Sequence, residues 1–314
     1  MIKFVINKND SGQRIDKFIT KALPEMPKNL MYKLFRKKDI KLNGKRCDIS
    51  TYLSENDEVT IYYNPASVLA AKDMTFLNSA LQLDIVYEDD NVIIVNKPTG
   101  LTVHCDNEHE SDTLINRIKH YLYKNGGYDP ETEASFSPAL CSRLDKNTCG
   151  LVTAAKNAQS LRLINEAIRC GNVTKLYKCA VIGKPPHDKG VLTAYHLKET
   201  KGNIVHVYDQ CKEGSKPIKT GYKLLASKNG ISLLEITLYT GRTHQIRAHL
   251  AHVGLPVLGD GKYGIISENR RYNIFHQALC AYKLVFRFPE NSELYYLNDI
   301  DLTIPYTEIE KIFV

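Results

Sequence analysis

Three short segments of the chain combine residue types that bind anions or move protons. The first, CSRLDKNTCGLVTAAKN, carries Arg143 and Asp145 on either side of Leu144. Residues two apart in an extended chain share a face, so these two side chains would project together from a strand end. An Asx-type turn capped by Asp145 is an equally simple interpretation of the same residues. The segment alone therefore leaves a reactive carboxylate and a structural turn both open.

The second segment, TGRTHQIRAHLAH, contains two arginines and three histidines. Arg242 and Arg247 stay ionised and can bind a phosphate or a buried carboxylate bidentately. The spacing of His244, His249 and His252 fits a zinc site on a helix poorly, because such sites use a histidine pair at i and i+4. We therefore expect fixed positive charge in this segment and no metal.

The third segment, NKPTGLTVH, predicts a strand that enters a Pro-Gly turn with Lys97 at the bend. A glycine-rich stretch, GDGKYG, lacks the preceding buried strand and the GK[ST] ending of a phosphate loop, so ATP binding is not indicated. The eight cysteines are spread along the chain without a CxxC pair, and we expect buried, reduced thiols.

Short strands dominate the part of the chain that must position these segments. Runs rich in β-branched or aromatic residues predict strands at LDIVY, NVIIVN, GLVTAA, LYKCAVIG, ISLLEITL and AYKLVFRF. Helical patterns interrupt them at about 112–123, 158–169 and 243–252. This mixture predicts an α+β fold with a mixed, largely antiparallel sheet, since a strict βαβ series is absent.

The sequence pattern of the N-terminal residues predicts a separate, smaller domain. An apolar stripe predicts a helix over Arg14–Leu23, and a second helix follows over Asn29–Lys37. The pair Asn43-Gly44 predicts a tight turn before a strand at Val59–Tyr62. This order resembles the S-four-like RNA-binding domain over roughly residues 12–62.

Basic residues are concentrated in that unit, with seven Lys or Arg against one acid between Lys33 and Arg46. Such a run often forms only a solvated face, but here it clusters at one helix end and the following turn, where it can line a phosphate-binding surface. The resemblance assigns RNA binding to this run, and its main candidates are Arg36, Lys37, Lys38, Lys45 and Arg46. We expect this domain at residues 1–65, a linker at 66–80 and a catalytic domain at 81–314.

The composition of the 314-residue chain agrees with a polyanionic partner. The formal net charge is +7 and the pI is near 8.8. The longest apolar runs have strand length, far below the roughly 20 residues of a membrane helix. The N-terminus lacks the apolar stretch and cleavage site of a signal peptide. We therefore expect a cytoplasmic protein that engages no membrane.

The three segments occur in order together with a fourth, Lys175-Leu176-Tyr177, and this set resembles the RluA class of pseudouridine synthases over roughly residues 80–290. The matching residues are Lys97-Pro98, Gly100-Leu101, Val103-His104, Arg143-Leu144-Asp145, Thr148, Gly150-Leu151, Lys175-Leu176-Tyr177 and the stretch GRTHQIR from Gly241 to Arg247. The paired RLD and GRTHQIR motifs are specific for this class. The resemblance implies that the chain isomerises uridines in a structured RNA, most simply large-subunit ribosomal RNA.

The resemblance also assigns roles to individual residues. It makes Asp145 the essential catalytic aspartate, Tyr177 the tyrosine that stacks on the target base, and Arg247 the basic partner of the aspartate. Arg143 matches a residue that fills the space left by the extruded uridine. Lys97, Arg242, His244 and Gln245 are assigned to positioning and substrate contact. The isomerisation needs no redox step or external energy source, so the resemblance implies no cofactor.

Three positions depart from the family pattern. Ser142 stands where a His is usual, Cys149 where a Ser is usual, and Cys280 where a His is common. None removes an inferred catalytic group, but they can alter how the RNA docks. A transfer-RNA-directed synthase, a noncatalytic RNA-binding or ribosome-assembly factor on the same fold, and a metal-dependent hydrolase are the alternatives. We expect a monomer.

Overall fold

A computed structural model describes residues 1–64, 72–104, 110–199 and 204–314. The strands within these ranges are β1 (Ile2–Val5), β2 (Ile40–Leu42), β3 (Lys45–Arg46), β4 (Glu58–Ile61), β5 (Ile85–Glu88), β6 (Val92–Lys97), β7 (Ala139–Leu140), β8 (Cys149–Ala155), β9 (Val173–Ile182), β10 (Lys189–Lys198), β11 (Val205–Tyr208), β12 (Lys216–Lys228), β13 (Ile231–Leu238), β14 (Leu279–Phe286) and β15 (Leu302–Thr303). The α-helices there are α1 (Ile15–Ala22), α2 (Lys28–Lys37), α3 (Leu114–Lys124), α4 (Ala158–Arg169), α5 (Gln245–His252) and α6 (Ile266–Arg271). Among the residues described, no helix is both long and apolar enough to cross a membrane.

The N-terminal residues form a separate four-stranded sheet in the order β1-β4-β2-β3. The predicted turn at Asn43-Gly44 is confirmed, because both residues have positive φ angles, 51° and 72°, and they join the antiparallel strands β2 and β3. The predicted apolar stripe of α1 is also confirmed, since Ile15, Phe18 and Ile19 are fully buried. These side chains form the centre of a hydrophobic cluster that contains no residue of the large sheet.

The N-terminal sheet is attached to the rest of the chain by side-chain hydrogen bonds. Asn9 donates to Glu133 at 2.7 Å, and Gln13 donates to Ser135 at 2.9 Å. Residues 66–71 of the expected linker lie outside the described residues. The part at 72–80 contains a short 3-10 helix, in which Phe76 is buried against Tyr123 and Tyr128.

The large sheet has the order β11-β10-β12-β13-β9-β14-β8-β6-β5, with β7 beside β8 and β15 beside β14. The pair β14 and β8 is parallel, and the other pairs formed by the described strands are antiparallel. The prediction of an α+β fold with a mixed, largely antiparallel sheet is therefore confirmed. Helix α4 spans the predicted residues, and Asn157 caps it by accepting a hydrogen bond from the Ser160 amide at 2.8 Å.

Strands β10, β11 and β12 were not predicted from the sequence. Their composition explains this, because β10 and β12 each contain lysines and a glycine, and β12 also contains Pro217. Strand propensity is weak for Lys and Pro, so the hydrogen bonds of neighbouring strands stabilise these segments.

Gly150 allows β8 and β14 to approach closely at the centre of the sheet. It has a φ of +111°, and a Cβ at this position would lie 2.3 Å from the carbonyl oxygen of Ala281. Any larger residue would push these two strands apart. The glycine therefore fixes the beginning of β8, and with it the loop that carries Asp145.

Candidate active site

A cavity of about 950 Å³ lies over the middle of the large sheet. The loop before β8 contributes Arg143 and Asp145, β9 contributes Tyr177, and the start of α5 contributes Arg247. These four residues come from three separate sequence segments and line one cavity. Its size is within the range of pockets that hold small organic groups.

Asp145 lies in a loop whose backbone is fixed at two points. The amide of Thr148 donates to the carbonyl oxygen of Asp145 at 3.0 Å, which closes a turn. The carbonyl oxygen of the next residue, Lys146, accepts hydrogen bonds from Lys97 Nζ at 2.9 Å and from the Gly100 amide at 3.0 Å. The turn is closed by backbone atoms and not by the Asp145 side chain, whose carboxylate faces the cavity.

Arg247 connects Asp145 to a second carboxylate, Asp260. Arg247 Nη1 donates to Asp145 Oδ2 at 2.7 Å, whereas Nε and Nη2 donate to Asp260 Oδ2 and Oδ1 at 2.7 and 2.9 Å. The Asp260 side chain is fully buried, and that of Asp145 is 27% exposed. The bidentate contact with Asp260 fixes the plane of the guanidinium, so that one nitrogen remains directed at Asp145.

Asp260 was missed by the sequence analysis. Its carboxylate accepts the amides of Lys262 and Tyr263 at 2.8 and 3.1 Å, so it also caps a turn. Gly259 before it has a φ of +78°, and a Cβ there would lie 2.1 Å from the His276 carbonyl oxygen. The glycine-aspartate pair in GDGKYG was the available signal, although the pair alone gives no partner for the carboxylate.

The ion pairs shift the pKa values of this network in opposite directions. Burial by itself would lower the pKa of Arg247, but the hydrogen bonds with Asp260 and Asp145 outweigh it and raise that pKa. Burial would raise the pKa of Asp260, and the guanidinium outweighs it and lowers that pKa. Both residues of the buried pair are therefore ionised over the physiological pH range.

Tyr177 forms part of the cavity from the centre of β9. Only 5% of the residue is exposed, and burial, followed by the nearby charge of Asp145, raises its pKa well above the ordinary value. The side chain is therefore a neutral phenol at physiological pH. Its strand neighbours Ile236 and Ala281 fix its position from both sides.

Lys97 is fully buried and does not line the cavity. Its Nζ donates to the carbonyl oxygens of Pro98, Leu101 and Lys146 at 2.8, 2.8 and 2.9 Å. Burial lowers its pKa to about 8, against the opposing charges of Cys149 and Asp145. These contacts hold the turn after β6 against the Asp145 loop, so the geometry favours the positioning role over direct substrate contact.

Gln245 is also occupied by internal contacts. Its Oε1 accepts from Thr240 Oγ1 and the Arg242 amide at 2.9 and 3.1 Å. Its Nε2 donates to the Lys219 carbonyl oxygen and Thr220 Oγ1 at 3.2 and 3.1 Å. These four bonds shape the loop before α5, while the exposed Arg242 side chain remains at the cavity wall.

The histidines of the second segment have different partners. His244 lines the cavity with a φ of 51° and shares a hydrogen bond with Tyr263 at 2.9 Å. His249 contacts Thr220 Oγ1 at 3.0 Å, and His252 contacts Asp209 at 2.8 Å. Burial lowers the pKa values of His244 and His249 to about 4.

The five basic candidates of the N-terminal unit lie outside this cavity, on the hairpin and helix end of the small sheet. Arg36, Lys37, Lys38, Lys45 and Arg46 are all exposed. Within the described parts of the chain, none of them forms an ion pair with a carboxylate. Their charges are therefore available to a polyanion.

Two of the departures from the family pattern face each other. Cys149 and Cys280 are direct partners on the parallel strands β8 and β14. A hydrogen bond from Cys280 is the main cause that lowers the pKa of Cys149, and the same contact raises the pKa of Cys280. Sequence alone had given no reason to pair them, because they are 131 residues apart.

Comparison with known proteins gives one consistent result. The family described as RNA pseudouridylate synthase matches residues 91–252. An uncharacterized RNA pseudouridine synthase of Mycoplasma genitalium is 34% identical over 308 residues, covering 96% of this chain and 94% of that protein. The ribosomal large subunit pseudouridine synthase C of Vibrio parahaemolyticus is 30% identical over 311 residues, covering 95% and 92%.

A solved structure shares the fold. The human RNA pseudouridylate synthase domain containing 1 aligns with a TM-score of 0.56 at 20% identity, covering 74% of this chain and 87% of that one.

Proposed function

The chain belongs to the RNA pseudouridylate synthase family, and from that premise we propose that it converts specific uridines of large-subunit ribosomal RNA to pseudouridine, with Asp145 as its catalytic aspartate. The observation that carries the proposal is the placement of Asp145, which is paired with Arg247 at 2.7 Å beside Tyr177 in a cavity. The choice of RNA is supported by relatives named ribosomal large subunit pseudouridine synthase C.

The cavity suits a base that has left its stack. Extruding a nucleotide costs a few kcal/mol, and an aromatic surface together with a side chain that fills the vacated space offsets this cost. Tyr177 supplies the surface within the cavity, and the exposed Arg143 at the wall is placed to occupy the gap. Both residues flank the carboxylate of Asp145 and so act on the same nucleotide.

The reaction breaks the bond between C1′ and N1, turns the base, and joins C5 to C1′. The proton on C5 is lost, N1 gains one, and the product is an isomer of the substrate. Asp145 either attacks C1′ as a nucleophile or removes a proton from the sugar, and an ionised carboxylate can perform both steps. Arg247 positions this carboxylate, because its other two nitrogens are held by Asp260.

The N-terminal sheet adds a second RNA contact in this proposal. Its exposed basic residues, with Arg36 at the end of α2 and Lys45 after the hairpin turn, form one surface without carboxylate partners in the described chain. Phosphate contacts of this kind increase affinity without reading sequence. This surface fits the S-four-like RNA-binding role and would hold structured RNA while the cavity acts on one uridine.

Tritium release tests the proposal. The protein and its Asp145→Asn variant are incubated with ribosomal RNA and transfer RNA carrying tritium at uridine C5, and released tritium is counted. We expect release from large-subunit RNA by the unmodified protein and none by Asp145→Asn, which still binds the RNA. Release from transfer RNA alone would overturn the proposed substrate. RNA binding without release by either protein would instead indicate a noncatalytic binding factor.

A further inference from the structure

The cavity wall is strongly cationic. The described residues that line it include six Lys or Arg but a single carboxylate, that of Asp145. The six are Arg143, Lys175, Lys198, Lys216, Arg242 and Arg247. Arg247 is neutralised by two carboxylates. The remaining five therefore present a positive field to whatever enters.

Lys175 differs from the other four because it is half-buried rather than exposed. It lies two residues before Tyr177 on β9, so both side chains are on the cavity side of that strand. Among the described residues it forms neither a salt bridge nor a side-chain hydrogen bond. Burial lowers its pKa, opposed by the nearby Cys141.

The opposite face of β9 provides a comparison within the same strand. Lys178 is also buried, but its Nζ contacts Glu310 at 2.7 Å and lies 4.8 Å from the centre of the Tyr282 ring. The fold thus accommodates this buried lysine with a carboxylate from the C-terminal segment and an aromatic ring from β14. Among the described residues Lys175 has neither, so none of them compensates its charge.

The position of Lys175 in the cavity indicates which anion it binds. Tyr177 and Asp145 line the same cavity, and Lys175 precedes Tyr177 by two residues on β9. A step of two residues along a strand separates the Cα atoms of Lys175 and Tyr177 by about 7 Å. Lys175 is thus displaced from Tyr177 along the cavity wall, which also includes Ser142 and Ile168 at the end of α4.

This inference rests on the proposed function: we propose that Lys175 binds the phosphodiester group on one side of the extruded uridine. An extruded nucleotide is joined to the strand by a phosphate on each side. The exposed Lys198, Lys216 and Arg242 line other parts of the same cavity and are placed to contact the second phosphate. Lys175 is thus a substrate-binding residue whose charge has no partner in the part of the chain that the structure describes.

The test compares Lys175→Gln with Lys175→Arg and with Lys184→Gln. Lys184 is exposed just beyond the other end of β9 and does not line the cavity, so its variant is the matched control. Binding of purified large-subunit ribosomal RNA is measured at several salt concentrations, with Asp145→Asn present in every protein to prevent turnover. KM and kcat for tritium release are measured in the active background.

We expect Lys175→Gln to reduce the slope of log affinity against log salt by about 0.7, the contribution of one phosphate contact on a single strand. KM should rise about tenfold, which is the loss expected for one charge-assisted hydrogen bond. Lys175→Arg should keep the slope, and Lys184→Gln should match the parent protein. The thermal midpoint of Lys175→Gln should equal or exceed that of the parent, because an unpaired half-buried charge is removed.

Three outcomes overturn the proposal. One is an unchanged salt slope and KM in Lys175→Gln. Another is a fall in kcat alone, which would place the lysine on the uracil ring. The third is a large drop in the thermal midpoint, which would make its role structural. Failure of the parent protein to release tritium from any RNA is a different result, since it refutes the proposed function itself.

Discussion

Replacing Asp260 by Asn should lower both stability and turnover, because Asp260 holds Arg247 in place. The variant keeps one acceptor, but it loses the charge and directs an amide NH₂ at the guanidinium, whose Nε and Nη2 now lie 2.7 and 2.9 Å from the carboxylate. Removing one partner of a buried ion pair costs about 3–5 kcal/mol. For a chain of this size we expect the thermal midpoint to fall by about 6–15 °C.

Turnover should fall because Arg247 Nη1 also positions Asp145 at 2.7 Å. A charge-assisted hydrogen bond contributes about 1.5–3 kcal/mol, so the loss of its alignment predicts a decrease in kcat of about 10- to 100-fold. Tritium release is measured at a temperature where the far-ultraviolet circular dichroism shows that the variant is fully folded. KM should change much less, since Asp260 does not line the cavity.

Asp209→Asn is the matched control. Asp209 also pairs with a basic side chain, His252 at 2.8 Å, but its own side chain is 85% exposed. Exposed pairs contribute about 0–1 kcal/mol, so this variant should melt and react like the parent. A folded Asp260→Asn protein with parental kcat would refute the view that Asp260 positions the catalytic pair.

Two further predictions concern other buried groups near the site. Lys97→Met should lower the free energy of unfolding by about 3 kcal/mol or more, since three carbonyl oxygens lose their buried donor. Urea denaturation measures this free energy. The control Lys3→Met, at an exposed position, should change it by less than about 1 kcal/mol. The pKa of His249 is lowered to about 4 in the folded protein from an ordinary 6.5, so the unfolded chain binds more protons between these values and stability must fall as the pH drops from 6.5 towards 4. In His249→Asn the thermal midpoint should decline between pH 7 and 5 by several degrees less than in the parent protein. In the control His187→Asn, at an exposed position, it should decline as in the parent. Equal declines in all three proteins would contradict the lowered pKa of His249.

The sequence by itself was sufficient to predict those helices and turns whose physical cause lies in neighbouring residues. The bounds of α4 follow from a 3.6-residue apolar period and an Asn cap. The turn at Asn43-Gly44 follows from the ease with which these two residues adopt positive φ. Local patterns failed for β10 and β12, because Lys, Gly and Pro have weak strand propensity and the hydrogen bonds of neighbouring strands stabilise these segments.

The candidate active site shows the same division between what the sequence predicts and what depends on tertiary contacts. The resemblance of the ordered motifs to a known family singled out Asp145, Tyr177 and Arg247 as a group, and all three line one cavity. Their chemical roles remain the proposal made above. The type and order of these residues are properties of the chain, so they can be read without knowing how it packs.

Tertiary structure alone decided which groups serve these residues. It paired Arg247 with Asp260, buried Lys97 against three carbonyl oxygens, used every hydrogen-bonding group of Gln245 internally, and left Lys175 without a partner in the described chain. The residue type, Lys or Gln, does not by itself determine which of these surroundings the side chain has. Its burial and partners are set by strands that meet from distant parts of the chain, and those contacts determine whether a polar side chain supports the loop or faces the substrate.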